Sequence, residues 1–216
     1  MTRPRDPAID SHGNVWFCGQ AGNYIGMLDP GTGEFRRYDV PARSNPHNLV
    51  IDDDDNVWYA GNRNGHIGRL DPRSGDIQRF DLPNENVRDP HTLIFDAQGD
   101  LWFTAQQSNY VGHLDTDTGE YDLIPVPHPA ARPYGIDLDS DGHPWIALFG
   151  TNRLATVDPA TMKLRTFALP NENSCPRRIA VTSDGKVWYG DYTRGYLGRF
   201  DPASQAFTEW QAPGGA

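Results

Sequence analysis

Cysteine is nearly absent. Only Cys18 and Cys175 occur, which excludes a disulfide framework and a paired-cysteine metal knuckle. No apolar run approaches 18 residues, so no membrane-spanning segment and no membrane partner are expected. The start, Met1-Thr2-Arg3-Pro4-Arg5-Asp6, lacks the apolar stretch of a signal peptide. A secreted chain whose leader has been removed begins the same way, so the expectation is a soluble protein, cytoplasmic or secreted. Positive charge is in the minority: 19 Lys and Arg stand against 29 Asp and Glu, a formal net charge of −10, and a nucleic-acid partner is not expected. Apolar residues, at 37%, are few for a single layered core. No stretch sustains a 3.6-residue period without Gly or Pro, so almost no helix is expected. There is also no Gly-x-Ser-x-Gly and no phosphate loop.

What the chain does have is a period. Trp16, Trp58, Trp102, Trp145 and Trp188 are spaced 42, 44, 43 and 43 residues apart. Asp29, Asp71, Asp115, Asp158 and Asp201 keep the same step, and so do Pro4, Pro46, Pro90, Pro133 and Pro176, each twelve residues before its Trp. Three rulers in phase over the whole chain define five tandem copies of one unit. The 22 Gly and 18 Pro are the punctuation that many short strands require.

Each unit reads as four short strands. In the third, Thr92-Leu93-Ile94-Phe95 is an apolar run suited to a strand covered on both faces. Asp96-Ala97-Gln98-Gly99 is a tight turn in which Gly supplies φ > 0. Leu101–Thr104 and Tyr110–Leu114 are the second and third strands, Asp115–Gly119 is a turn, and Glu120–Ile124 is the fourth strand, closed by Pro125.

Four antiparallel strands per unit of this length predict an all-β fold, a β-propeller of five four-stranded antiparallel blades. The blades are expected at about 4–42, 43–86, 87–129, 130–172 and 173–213 in one domain. They form either a closed five-bladed ring or an open arc of a larger propeller. An arc would leave apolar faces on its first and last blades, through which copies of the chain would associate as a homo-oligomer.

The first strand of a propeller blade lines the central channel, and the residue after the marker Pro sits at its mouth. That slot holds Arg5, His47, His91, Tyr134 and Arg177, all able to carry charge or to hydrogen-bond. A slot four residues after each Trp faces the same mouth and holds Gln20, Asn62, Gln106, Phe149 and Tyr192. The functional reading is a small-molecule or peptide site. The competing reading is that these groups cap strand ends and bridge neighbouring blades.

The recurring Pro-His-x-Leu/Ile, Asp-x-x-Gly-x-Val/Leu-Trp-Phe/Tyr and Ile/Val-Gly-x-Leu-Asp segments resemble the streptogramin B lyase (virginiamycin B lyase) family. They stand in Pro46-His47-Asn48-Leu49, Asn56-Val57-Trp58-Tyr59 and Ile67-Gly68-Arg69-Leu70-Asp71, and again in Pro90-His91, Leu101-Trp102-Phe103-Thr104 and Val111-Gly112. The resemblance implies a propeller, of seven blades in the family against five repeats here, and eliminative opening of a cyclic depsipeptide at its ester. That chemistry needs a base for a proton α to a carbonyl and a cation for the developing oxyanion. The family's pattern implies a His base in an acid-Pro-His segment whose acid holds Mg²⁺, a second His on the preceding blade, and a Glu shortly after the Trp. Carried over, His91 is the base, Asp89 the Mg²⁺ ligand and His47 the second His. Gln106 stands where the family has Glu, and Gln cannot take a proton. An active chain would be a carbon–oxygen lyase on a macrocyclic lactone. The reading from another class is a non-catalytic propeller, a binding or scaffold module, and the Gln and the blade count favour it.

Other segments carry bland expectations. Asp137–Gly142 begins like a calcium loop but has Leu148 where the late Glu belongs, so it reads as a strand and turn. Asp52–Asp55 reads as a solvated turn. His12, His66, His113, His128 and His143 share no slot and are expected at the surface. Cys18 is expected in the core.

Overall fold

A computed structural model describes residues 2–214. Five four-stranded antiparallel sheets follow one another along the chain. The first comprises β1 (Pro4–Ile9), β2 (Val15–Gly19), β3 (Tyr24–Leu28) and β4 (Phe35–Asp39). The second holds β5 (Pro46–Ile51), β6 (Val57–Gly61), β7 (His66–Leu70) and β8 (Ile77–Asp81). The third holds β9 (Pro90–Phe95), β10 (Leu101–Ala105), β11 (Tyr110–Leu114) and β12 (Tyr121–Pro125). The fourth holds β13 (Pro133–Leu138), β14 (Pro144–Leu148), β15 (Arg153–Asp158) and β16 (Lys163–Ala168), and the fifth β17 (Pro176–Val181), β18 (Val187–Asp191), β19 (Tyr196–Asp201) and β20 (Ala206–Gln211). The only helical element among the described residues is a 3₁₀ turn at Gln20–Gly22, and no helix is long and apolar enough to cross a membrane. The inner strands β1, β5, β9, β13 and β17 pack in series. This is the five-bladed propeller architecture that the rulers predict.

The period of the tryptophans has a physical cause. Each of the first four Trp is buried against the next blade. Trp16 packs with Leu49, Tyr59 and Leu70, Trp58 with Leu93, Phe103 and Leu114, Trp102 with Ile136, Ile146 and Val157, and Trp145 with Tyr189 and Phe200. Three of these indoles are also tethered. Trp16 Nε1 donates to Asp10 at 2.8 Å, Trp58 Nε1 to Asp52 at 2.9 Å and Trp145 Nε1 to Asp139 at 3.0 Å. In these three blades the Asp that opens the turn therefore binds both its own turn and the Trp six residues on.

Four apolar clusters join five blades, and among the described residues none joins the fifth to the first. The uncovered faces are visible in single positions. Leu197 is 48% exposed, whereas Ile25, Ile67, Val111 and Leu154, at the same place in the other blades, are fully buried. Trp210 on the fifth blade and Ile9 and Phe35 on the first are exposed as well. An ion pair, Arg178 to Asp6 at 3.8 Å, links the first and fifth blades. Of the two closures the repeat allows, the apolar packing is that of an open arc.

The Gly of the Ile/Val-Gly-x-Leu-Asp segment is set by its cross-strand partner. Gly26, Gly68, Gly112 and Gly198 pair with Phe17, Tyr59, Phe103 and Tyr189. A Cβ on any of these glycines would fall inside the partner's ring. In the fourth blade Ile146 takes the place of the aromatic, and its partner is Ala155. Ring over glycine and Ile over alanine are two solutions to one volume constraint.

Three expectations need correction. His66, expected at the surface, is fully buried; it opens β7 and bonds Asn64 Oδ1 through Nδ1 at 2.7 Å and the Tyr59 hydroxyl through Nε2 at 3.3 Å. The His113 side chain is only 16% exposed, because it packs on Trp102. Asp52–Asp55 is not a merely solvated turn. Asp52 holds Trp58, and Asp55, at φ 65° where the other turns carry Gly, accepts Ser11 N–H at 2.9 Å and Ser11 O–H at 2.6 Å from the first blade. Cys18 is fully buried, as expected.

The ring-over-glycine pairing yields a stability prediction. Gly112→Ala should destabilise the protein by about 1–3 kcal/mol, the usual penalty of overpacking. Adding Phe103→Ile, which recreates the fourth blade's pair, should recover part of that loss. Chemical denaturation of the two single variants and the double variant measures the coupling; strict additivity would refute the shared-volume argument.

Candidate functional site at the channel mouth

The mouth is shaped by a bulge in every blade. Pro46 pairs with Gly61 and Leu49 with Tyr59, so the inner strand carries one extra residue just after its Pro. The same slip lies between Pro90 and Leu93, between Pro133 and Ile136, and between Pro176 and Arg178, and a register shift occurs between Arg5 and Ala8. A bulge interrupts the ladder and re-aims side chains. Pro, which cannot donate to the ladder, is suited to that position.

Four of the five ring residues form a continuous stack. The His47 and His91 rings lie 3.8 Å apart, and His91 and Tyr134 4.4 Å apart. Arg177 Nη2 donates to the Tyr134 hydroxyl at 3.0 Å. His47, His91 and Tyr134 are nearly buried, at 7%, 4% and 4% exposure. Arg5 stands at the far side and donates to Gln20 Oε1 at 2.9 Å. Phe149 and Tyr192, from the slot after the Trp, close over Arg177 with Tyr134. The guanidinium is 4.9 Å from the Tyr134 ring, 5.7 Å from Phe149 and 4.9 Å from Tyr192, an aromatic cage for a cation. The signal for these two residues is the switch from amide to aromatic at that slot in blades four and five. Arg178, which no sequence marker singles out, lies 5.4 Å from the Tyr134 ring.

The remaining candidates face elsewhere. Asn62 Nδ2 donates to the Pro90 carbonyl at 3.0 Å, and Gln106 Oε1 accepts from Gln107 at 3.3 Å. Asp89 accepts the N–H groups of Gln107 and Ser108 and the Ser108 hydroxyl, binding the loop after β10 to the start of β9. Asp89 and Asn62 line a shallow cleft of 710 Å³ with Asn45, Arg88 and Ser108, and neither His47 nor His91 lines it.

This donor set does not fit Mg²⁺. The ion requires several oxygens in octahedral array. Both Asp89 oxygens already hold loop donors, and Asp6, the other carboxylate nearby, stands against Arg5 at 3.9 Å and Arg178 at 3.8 Å. Arg5, Arg177 and Arg178 make the mouth cationic, and a cationic mouth favours an anion or a carbonyl oxygen over a second cation.

The same field keeps the imidazoles neutral. Burial first, and then the Arg5 charge, lower the His47 pKa to about 4. His91 is lowered by burial, by His47 and by the three arginines. His47 Nδ1 is buried without a hydrogen-bond partner. At neutral pH the pair therefore offers uncharged rings with one unspent polar atom.

These shifts set a pH dependence. Burial also lowers His66 to about 4. Between the unfolded value of about 6.5 and these folded values, the unfolded chain binds more protons, so stability rises with pH. The contribution is complete above about pH 6.5 and is lost as pH falls towards 4. The melting temperature should drop across that window, and His47→Asn should flatten the slope by up to about 1.4 kcal/mol per pH unit. An unchanged slope in thermal melts would mean that His47 titrates as a solvated group.

Comparison with known proteins agrees with the architecture. The family model described as the virginiamycin B lyase family matches residues 2–215. Virginiamycin B lyase from Staphylococcus aureus superposes with a TM-score of 0.88 at 26% identity, over 98% of this chain and 71% of that one. A streptogramin B lyase structure gives 0.86 at 26% identity, over 97% and 69%. A catalytically inactive form of the Staphylococcus aureus enzyme with quinupristin gives 0.86 at 24% identity, over 99% and 71%, a likeness of fold. A search of curated protein sequences gives no match. With a family match over nearly its whole length and blades that superpose on those lyases, this chain belongs to the virginiamycin B lyase family.

Proposed function

We propose that the channel mouth binds a small molecule or peptide that presents a carbonyl or carboxylate beside an aromatic or apolar ring, as a streptogramin-type cyclic depsipeptide does. The observation that carries this reading is the unbroken stack His47–His91–Tyr134–Arg177, with Arg177 held among three aromatic rings. The guanidinium supplies a fixed donor for an oxygen. The neutral imidazoles and Phe149 supply flat apolar surface beside it.

Turnover is the second reading. A neutral imidazole at His91 has the protonation state that a general base requires, and Arg177 is a cation within the same stack. Against it stand Gln106, which cannot carry a proton, and Asp89, whose oxygens are committed to the loop. The binding reading is therefore preferred: a lyase-family propeller that recognises such a ligand without needing Mg²⁺.

Titration calorimetry with quinupristin, with and without Mg²⁺, tests both readings when the incubated ligand is also weighed by mass spectrometry. The expected result is saturable binding that Mg²⁺ does not alter. Arg177→Ala should weaken it about tenfold or more, the worth of one charge-assisted hydrogen bond. A linearised product that disappears in His91→Ala would establish turnover in place of binding alone. No binding would overturn the pocket.

A further inference from the structure

The face of the propeller opposite the mouth carries a second cluster. The β9–β10 and β11–β12 turns lie there, and in the third blade they bring together Asp96, Asp100 and His113. His113 Nε2 is 3.6 Å from Asp96 Oδ2 and 3.9 Å from Asp100 Oδ2. These spans exceed a hydrogen bond. They approach the roughly 3.3–3.6 Å that separates two ligands on one ion with bonds of about 2.0–2.2 Å.

The trio is particular to this blade. The slots of Asp100 and His113 hold Asn14 and Met27 in the first blade, Asn56 and Arg69 in the second, His143 and Thr156 in the fourth, and Lys186 and Arg199 in the fifth. Backbone donors also orient both carboxylates. Asp96 Oδ1 accepts Gln98 N–H at 2.9 Å and Asp100 N–H at 3.0 Å, and Asp100 Oδ1 accepts Thr116 N–H at 3.0 Å. Each Oδ2 is left facing the imidazole.

An independent observation comes from Trp102. In three other blades the indole N–H donates to the turn Asp at 2.8–3.0 Å. Here the equivalent Asp96 has turned towards His113. Trp102, 1% exposed and with its ring 4.6 Å from that of His113, keeps a buried Nε1 with no partner. An unmet buried donor carries the full cost of its desolvation, so whatever draws Asp96 to His113 must offset that loss. A carboxylate–imidazole contact too long to be a hydrogen bond, at a partly exposed site, offsets little of it. A shared metal ion is worth more.

We infer that Asp96, Asp100 and His113 form a binding site for one first-row divalent metal ion, with water completing the shell. One imidazole and two carboxylates suit Zn²⁺, Co²⁺ or Mn²⁺ better than Mg²⁺ or Ca²⁺. The fourth blade supplies an internal control. Asp139, Asp141 and His143 also cluster, but there Asp139 Oδ2 remains bonded to Trp145.

Zn²⁺ titration of the full chain, followed by calorimetry and by NMR of the histidine ring nitrogens, tests the site. One equivalent should bind with a shift at His113 Nε2 and no shift at His143, while Mg²⁺ at the same concentration should leave both unchanged. His113→Ala should abolish that equivalent, and Asp100→Asn should weaken it at least tenfold, with the far-ultraviolet dichroism of both variants unchanged. Binding that survives both substitutions, a first shift at His143, or no saturable binding below about 1 mM would overturn the assignment. If both variants fail to fold, the wild-type His113 and His143 ring shifts decide alone.

Discussion

Stacking of one sheet on the next through a buried tryptophan is the constraint on which the rest of this molecule depends. A four-stranded sheet of this size has no core of its own and is stable only when its faces are covered. Trp16, Trp58, Trp102 and Trp145 each fill the gap to the following blade. Their tethers to Asp10, Asp52 and Asp139 tie a turn at the base of the sheet to the ring between sheets. The fifth blade is the exception that shows the rule. Thr182 stands where the turn Asp would be, and among the described residues no following blade covers the sheet: Trp188 stacks on Trp210 at 5.5 Å, as Trp16, Trp58 and Trp145 stack on Tyr38, Phe80 and Phe167 of their own sheets, yet Trp210 is left 44% exposed.

The blades were legible because core positions repeat in type. Trp, Pro and Asp at a 43-residue step mark the same three points in every sheet, and in the third blade the expected strands lie within about two residues of β9 to β12. The six-residue step from Asp10 to Trp16, which recurs from Asp52 to Trp58 and from Asp139 to Trp145, is equally visible in the sequence. That the step is a hydrogen bond is a fact of side-chain geometry. The exchange of Phe-and-Gly for Ile-and-Ala between the third and fourth blades is the written trace of a volume constraint, and it becomes interpretable once Ile146 is seen opposite Ala155. His66 was hidden for the opposite reason. Tyr24, Tyr110, Arg153 and Tyr196 occupy its slot in the other blades, and a buried histidine among such residues depends on Asn64 and Tyr59, which no spacing rule connects.

The mouth was legible as a set of slots and not as a site. Counting one residue past each Pro finds Arg5, His47, His91, Tyr134 and Arg177, but the count says nothing about the bulge that aims them. It also cannot show that Asp89, one residue before its Pro, turns to the Gln107–Ser108 loop. Family resemblance assigns Asp89 to a cation. The surrounding charge argues otherwise, because three arginines share the mouth with one carboxylate that is already opposed to two of them.

The two ends of each sheet are free to vary for the same reason that its middle is not. A substitution in the middle of a strand must fit its neighbouring strand and blade, so a larger residue at Gly112 calls for a smaller one at Phe103. At the mouth and at the base the backbone is already held by a bulge or a turn, so the type of side chain can change from blade to blade. Repetition thus presents five equivalent positions at each end of the channel at little risk to the fold. In this chain the mouth collects aromatic rings and cations, and the base of the third blade collects carboxylates around an imidazole. The two ends of the same strands have acquired opposite electrostatic character. That polarity comes from slot-by-slot divergence, because the backbone repeated from blade to blade is indifferent to charge.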